Sequence, residues 1–380
     1  MNLLLLLTLW LNTITLTVGV AWTPPSDPNA PLRPAAVYTR DNTEDFQKRS
    51  TERYSNHSTV LNPRIASEFG RKPALRWPKS NEDADRRHII KFCWATPAQR
   101  ERGHQVFSCA VAEWYKALGG KASAQTGHGI HFSETKFPNS YTPRYCFTEF
   151  DENPATNPRW VGKPEHQQPW AMGRVVHVYL TPLRLTGGHS ASSVGFVDHP
   201  SLYVSIDATT TSVVHEIGHL LGMEHEQKRP DRDTGLEFRC EKLQDYEAVY
   251  NAARQEFGSQ THEKICNDEA IQTRYNFQGA LQFTKVPSIG TYAEGNGPID
   301  FKSIMIYASF AYAKPACANS IAECPLVAWM QDPRTQQRVY AGIHPTTEIS
   351  HWDVKFVKAW YPWDPTGTKQ VPVDRYFPPP

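Results

Sequence analysis

The run VVHEIGHLLGMEHEQKRPDRD, residues 213–233, constrains this chain more than any other stretch. Its apolar positions Val213, Val214, Ile217, Leu220 and Leu221 form a helix surface suited to burial. Within that surface stand His215, Glu216 and His219. On a helix the two histidines are one turn apart and face the same way, so both imidazoles can meet one metal ion. Gly222 lets the chain turn where a side chain would obstruct, and His225 returns as a third nitrogen donor. Three nitrogen donors with an open fourth place describe a catalytic zinc site, because structural sites are usually closed by four protein ligands and rich in cysteine. No cysteine lies between residues 147 and 239. The ionisable groups are therefore expected to be compensated by Zn2+, one per chain.

Glu216 follows the first histidine, which places its carboxylate near the open metal position. Zinc can lower the pKa of a bound water to about 7, and a neighbouring carboxylate can take its proton as general base and return it as acid. The competing reading is an amphipathic surface helix with incidental histidines. It suits H-E-x-x-H alone better than the extended pattern, in which Gly222 and His225 stand at fixed offsets.

Charge points to no partner. Lys plus Arg is 40 against 39 Asp plus Glu, which leaves no global field for nucleic acid or an anionic membrane. Neither nucleic acid nor stable membrane association is expected. The N-terminus has an apolar core from Leu3 to Leu11, then Gly19 and Ala21 in the −3 and −1 places of a cleavage site. That pattern predicts a signal peptide over 1–21 and a secreted, extracellular product. The same stretch is short for a bilayer span and is interrupted by Asn12 and several Thr. Seven cysteines suit an oxidising compartment. Cys317 and Cys324 close a small loop, Cys240 and Cys266 can staple a longer one, and Cys93, Cys109 and Cys146 leave an odd count. Their connectivity stays open at this level.

Residues 22–75 are rich in Pro, Asn, Arg and Ser and lack an apolar period. They read as a propeptide or disordered N-terminal segment. The segment holds the sequon Asn56-His57-Ser58 and basic points at Arg64 and Arg71-Lys72, where an activating protease is expected to cut. A catalytic domain is expected over 76–362 and a Pro-rich tail over 363–380. HIIKFCWA at 88–95 reads as a strand. Thr96, Pro97 and Gln99 then open a helix with apolar positions at Val106, Cys109, Ala110, Trp114 and Leu118, stopped by Gly119-Gly120. GIHFSE, VVHVYL and SLYVSID supply further strands. Beyond residue 233 regularity fades. The remaining histidines, including His189 and His199, have no ligand spacing and are expected at the surface.

At the extended histidine motif, at HEQKRPDRD continuing from His225, and at SIMIY over 303–307, the chain resembles the astacin-like zinc metalloendopeptidases of the metzincin clan. The resemblance implies an α+β metzincin fold with an α/β-like N-terminal half. Its twisted mixed sheet and long helices would lie above a cleft, with an irregular C-terminal half. It implies a Met-turn at Met305 beneath the metal, and Tyr307 approaching the metal to stabilise the oxyanion, where such stabilisation is worth most. It also implies that Glu226 pairs with the mature N-terminus. Ser193, Val194, Gly195 and Phe196 would form an edge strand on which an extended peptide adds. Ile306 stands where the family commonly has His. The expected substrates are proteins or peptides. The rival is a secreted zinc-scaffold binding protein without turnover, which loss of Glu216 or Tyr307 would favour; both residues are present.

Overall fold

Alternate residues of β1 (His88–Trp94) serve two different cores. Ile90, Phe92 and Trp94 face one apolar cluster, while Cys93 faces another with Cys146, Phe147 and Tyr179. The end of the strand, residues 92–94, is buried on both faces, as a strand inside a sheet is, while Lys91 is exposed. In this computed structural model, which describes residues 76–81, 83–153, 162–172, 175–181, 190–285 and 299–366, β1 pairs in parallel with β2 (Ile130–Glu134) and β3 (Val176–Thr181). The edge is completed by β4 (Ala191–Ser192), antiparallel to β5 (Ser201–Ser205), and the five strands run in the order β2-β1-β3-β5-β4. The expected signal peptide, the 22–75 segment with its sequon and basic points, and the tail beyond Thr366 lie outside the described residues.

Helix α1 (Pro97–Leu118) starts as its sequence predicts: Gln99 N–H donates to Thr96 Oγ1 at 3.2 Å, and the helix ends at left-handed Gly119, φ 89°. Gln99 does not close a capping box. Its fully buried side chain reaches across to accept Leu180 N–H at 2.9 Å, tying the helix to β3. The buried stripe runs Gln99, Gly103, Phe107, Ala110, Trp114, Leu118, so Cys109 falls on the outer face.

Helix α2 (Thr210–Leu220) carries the histidine motif and is held by side chains from distant segments. Trp114 Nε1 donates to Val214 O at 2.9 Å, Trp77 Nε1 to Leu220 O at 2.7 Å, and the Tyr361 hydroxyl to Leu221 O at 3.0 Å. The last two satisfy carbonyls that a helix end leaves without intrahelical partners.

The C-terminal half is more regular than its sequence suggests. It contains α3 (Tyr246–Phe257), α4 (Thr261–Asn267), α5 (Glu269–Arg274) and α6 (Gln278–Leu281). These pack with a three-stranded antiparallel sheet, β6 (Leu236–Phe238), β7 (Leu326–Gln331) and β8 (Arg338–Ala341), around a second core centred on Phe277, Phe283 and Leu326. Apart from α3, with twelve residues, these strands of three to six residues and helices of four to seven are too short to display a period. Helix α7 (His351–Trp360) returns to the first core through Phe356, Val357 and Trp360.

Disulfides join Cys93–Cys146, Cys240–Cys266 and Cys317–Cys324, leaving Cys109 free and exposed. The first residues of the expected tail are tied to the domain: Trp363 N–H donates to Gly127 O at 3.0 Å, and buried Asp364 pairs with Lys79 at 2.6 Å. Among the described residues no helix is long and apolar enough to cross a membrane.

Not every remaining histidine is at the surface. His199 is exposed, and His189 lies outside the described residues, but His88, His128 and His177 are buried. Each ring meets a backbone carbonyl: Trp77 O at 2.6 Å, Gly120 O at 3.0 Å and Ala171 O at 2.8 Å, respectively. Burial holds all three below the ordinary imidazole range, with His88 pushed down from 6.5 to about 4. A base kept neutral in the fold favours the fold at high pH, because below pH 6.5 the unfolded chain binds the proton that the native chain refuses. His88 should therefore withdraw on the order of 3 kcal/mol of stability as the pH falls from about 6.5 to below about 4. Chemical denaturation of His88→Asn beside the parent at pH 7 and pH 4 should show a shallower acid loss in the variant. Equal losses would contradict this assignment.

Candidate active site

Helix α2 ends in a way that builds the histidine cluster. Gly222 N–H donates to His219 O at 2.7 Å and Met223 N–H to Gly218 O at 3.0 Å, the two bonds of a Schellman turn. The turn requires φ 93° at Gly222, a conformation glycine adopts without penalty. The chain then reverses, bringing His225 back over the helix.

Two of the rings are oriented by backbone. His215 Nδ1–H donates to Ile304 O at 2.7 Å, and His219 Nδ1–H to Met223 O at 2.6 Å. Spending the Nδ1 proton this way leaves each Nε2 with a lone pair, as a metal ligand needs. Both lone pairs point at Nε2 of His225, 3.1 Å from that of His215 and 3.2 Å from that of His219. Nitrogens about 2.0–2.1 Å from a tetrahedral zinc ion stand about 3.3 Å apart, so the triad fits the ion. Burial lowers the pKa of all three rings and keeps them neutral, the form in which imidazole ligates. A second grouping, Cys93, Cys146 and His177, has its sulfurs in a disulfide and offers no thiolate.

Glu216 is buried, and its carboxyl is pushed up to about 8 by burial, partly opposed by Ser192. Ser192 Oγ sits 2.8 Å from Glu216 O and 3.1 Å from Glu216 Oε2. A cation at the triad would draw that carboxyl back toward its ionised form.

Met305 is 1 % exposed, under α2, and its sulfur occupies the space beside Gly218. It belongs to the first core, whereas Ile306 and Tyr307 face the second, so the cluster lies where the two cores meet. The Tyr307 ring lies 4.4 Å from the His225 ring, centroid to centroid. Its phenol is held well above the ordinary range by burial first and by neighbouring Tyr312 and carboxylates second.

Asp353 fixes the turn beneath the metal position. It accepts Ile304 N–H at 2.9 Å, Ser303 Oγ–H at 2.7 Å and Ser350 N–H at 2.9 Å, the last within the capping box of α7. Buried Glu226 accepts Arg229 Nη1–H at 2.5 Å and Asp300 N–H at 3.0 Å. Arg229 is shared with Asp231, which gives the DRD run a structural role. Asp300 is pushed up to about 7 by burial and by its neighbours Asp353 and Glu226. On the sheet edge β4 ends at Ser192. Ser193 N–H still bonds Ser201 O at 2.9 Å, but Gly195 turns with φ 65° and gives its N–H to His219 O at 2.8 Å. Val194 is buried, and Phe196 packs edge-on against Trp77 at 5.2 Å.

Sequence reasoning brought together His215, Glu216, His219, Gly222, His225, Met305 and Tyr307. It missed Gly218, Ser192, Asp353 and the two glutamines Gln227 and Gln282 that contact Tyr307. Gly218, inside the histidine motif, and Gln227, in the run continuing from His225, carried a local signal.

Residues 178–288 match the family model for Astacin, a peptidase family. Among solved structures the chain is similar to high choriolytic enzyme 1, a hatching enzyme zinc-protease from Oryzias latipes (medaka fish). That pair shares 14 % identity and a TM-score of 0.41, covering 78 % of this chain and 98 % of that one. It is also similar to myroilysin, with 17 % identity and a TM-score of 0.34 over 76 % of this chain and 95 % of that one. No curated protein matches.

A Cβ at position 218 would stand 2.5 Å from the Met305 sulfur. Gly218→Val is thus expected to cost about 1–3 kcal/mol through overpacking. Urea unfolding of the metal-free protein measures the loss, and an unchanged midpoint would rule out the packing described.

Proposed function

We propose, from the match of residues 178–288 to the Astacin peptidase family model, a secreted zinc metalloendopeptidase that hydrolyses internal peptide bonds of extended polypeptide segments. The observation that carries the reading is the convergence of three Nε2 atoms beside a buried glutamate.

His215, His219 and His225 would hold one zinc ion per chain. When bound, the ion would polarise the scissile carbonyl and acidify a water. Glu216 stands next to the first ligand with one carboxylate oxygen held by Ser192. The other oxygen takes the water's proton and passes it to the leaving amine. Tyr307, packed on the His225 ring, donates its phenol proton to the oxyanion. Substrate would lie along the outer side of β4, the edge of the sheet, through backbone hydrogen bonds, and reach the turn at 193–196 that replaces the expected longer strand.

Secretion rests on the N-terminal pattern and fits the three disulfides. Activation would follow cleavage after Arg64 or Arg71-Lys72 by another protease. The new amine would join buried Glu226, beside which lie Asp300 and Asp353 and whose carboxylate Arg229 already pairs. Edman sequencing of the active secreted protein should then begin shortly before Trp77; a start at Trp22 would remove this activation scheme.

The direct test is hydrolysis of denatured casein by the trimmed protein. Glu216→Ala should lower kcat by about 10²–10⁴-fold, and a zinc chelator should abolish cleavage reversibly. A trimmed parent that binds zinc and cleaves nothing would instead support a zinc-scaffold binding protein.

A further inference from the structure

The hairpin that continues β2, residues 135–144, contributes no side chain to any of the apolar cores. It is nonetheless firmly built. Arg144 N–H donates to Thr135 O at 2.9 Å and Phe137 N–H to Thr142 O at 3.0 Å, while the Cys93–Cys146 disulfide fastens the returning segment to β1. Residues 136–142 all stand in solvent. Among the described residues four large apolar side chains are exposed, and three of them gather here: Phe137 at 51 %, Tyr141 at 92 % and, on the neighbouring turn, Met172 at 59 %. Arg144 joins the two segments, its guanidinium 4.1 Å from the centre of the Trp170 ring and 5.5 Å from that of Phe137. Lys136 holds its ammonium 5.4 Å over the Tyr141 ring. The result is an apolar finger flanked by two cations.

Charge, backbone and shape together say what covers it. No Asp or Glu lies between Thr135 and Thr148, and Glu134 just before them is taken by Arg100 at 2.6 Å. The partner is therefore anionic. Pro138 and Pro143 have no N–H, Ser140 N–H donates to Phe137 O at 3.1 Å, Thr142 N–H to Ser140 Oγ at 3.0 Å, and Ser140 Oγ–H to Thr142 Oγ1 at 3.0 Å. A tip whose polar groups bond to one another loses little on leaving water. A ring that is 92 % exposed has no groove walls around it, so the tip is convex, unlike the concave sites that hold small ligands. An anionic bilayer matches all three features, because aromatic rings settle at its headgroup level while Lys and Arg meet its phosphates. We propose that this hairpin, with Trp170 and Met172 beside it, docks the protein reversibly on an anionic phospholipid surface. The hairpin extends from β2, at the opposite edge of the five-stranded sheet from β4 and about 19 Å away by four strand spacings. Docking there leaves β4 uncovered and does not depend on the zinc site.

With 40 Lys and Arg against 39 Asp and Glu the whole chain supplies no steering field, so the attraction is local and should weaken as salt rises. Cosedimentation of the secreted protein with phosphatidylcholine vesicles, with and without roughly one third phosphatidylserine, reads the partition directly. The parent should bind the anionic vesicles more tightly than the neutral ones. Tyr141→Ser and Phe137→Ser should each lower that partition about fivefold. Lys136→Ala should lower it about fivefold on the anionic vesicles alone. Thermal melts matching the parent's would show that each variant folds, and Tyr141, almost wholly in solvent, can be replaced without disturbing the packing. No sedimentation of the parent with either vesicle would overturn the assignment. Equal binding to the two compositions, or equal partition of the parent and Tyr141→Ser, would also overturn it. Retention on heparin that Lys136→Ala weakens, without vesicle binding, would instead give the hairpin to an anionic glycan.

Discussion

The hydrogen bond from His215 Nδ1 to Ile304 O, 2.7 Å long, joins the two halves of this domain at the point where chemistry is proposed. On one side of it is a helix buried against the five-stranded sheet; on the other is a turn whose next residue, Met305, fills the space left by Gly218. The bond sets the tautomer of His215, the first of the three proposed ligands. It also makes the ligand's orientation depend on the turn, which depends in turn on Asp353 in α7. A carboxylate 138 residues beyond His215 in sequence (353 − 215) thus acts on the metal position through two hydrogen bonds. Each link is buried and hydrogen-bonded, so weakening one leaves an unsatisfied polar group as well as a looser ligand.

The same logic explains why so many side chains from elsewhere end on α2. Trp77, Trp114 and Tyr361 each donate to a carbonyl of the helix or its cap. The helix is only eleven residues long and could not hold three convergent rings by its own propensity. Rigidity is imported from the N-terminal strap, the long helix α1 and the last turn of the fold. The seam between the two cores then leaves Tyr307 facing the triad from the second core while Met305 supports it from the first.

How much of this could be read in advance depended on whether a role was local. The histidine motif, the glycine turn, the strands β1, β2, β3 and β5 and the cap of α1 are all written within a few residues, and the structure follows them. The buried histidines at 88, 128 and 177 were misplaced because polarity argues for the surface, whereas the backbone carbonyls that receive them come from other segments. Gln99 reads as part of the helix start but its side chain serves Leu180, 81 residues away. Ser192 and Gln282 look like ordinary surface residues until folding carries them across 24 and 25 residues to Glu216 and Tyr307. The C-terminal half was underestimated because most of its elements, α3 apart, are too short to show a period, although they enclose a core of their own.

The central claim is that His215, His219 and His225 form one zinc site. Its most direct test is a calorimetric zinc titration of the metal-free protein beside His225→Ala, with each protein's metal content checked by elemental analysis. One tight zinc per parent chain and a loss of tight binding in the variant are expected, since two ligands on a helix remain but the third has gone. Equal affinity in the two proteins, or no zinc binding by the folded parent, would contradict it.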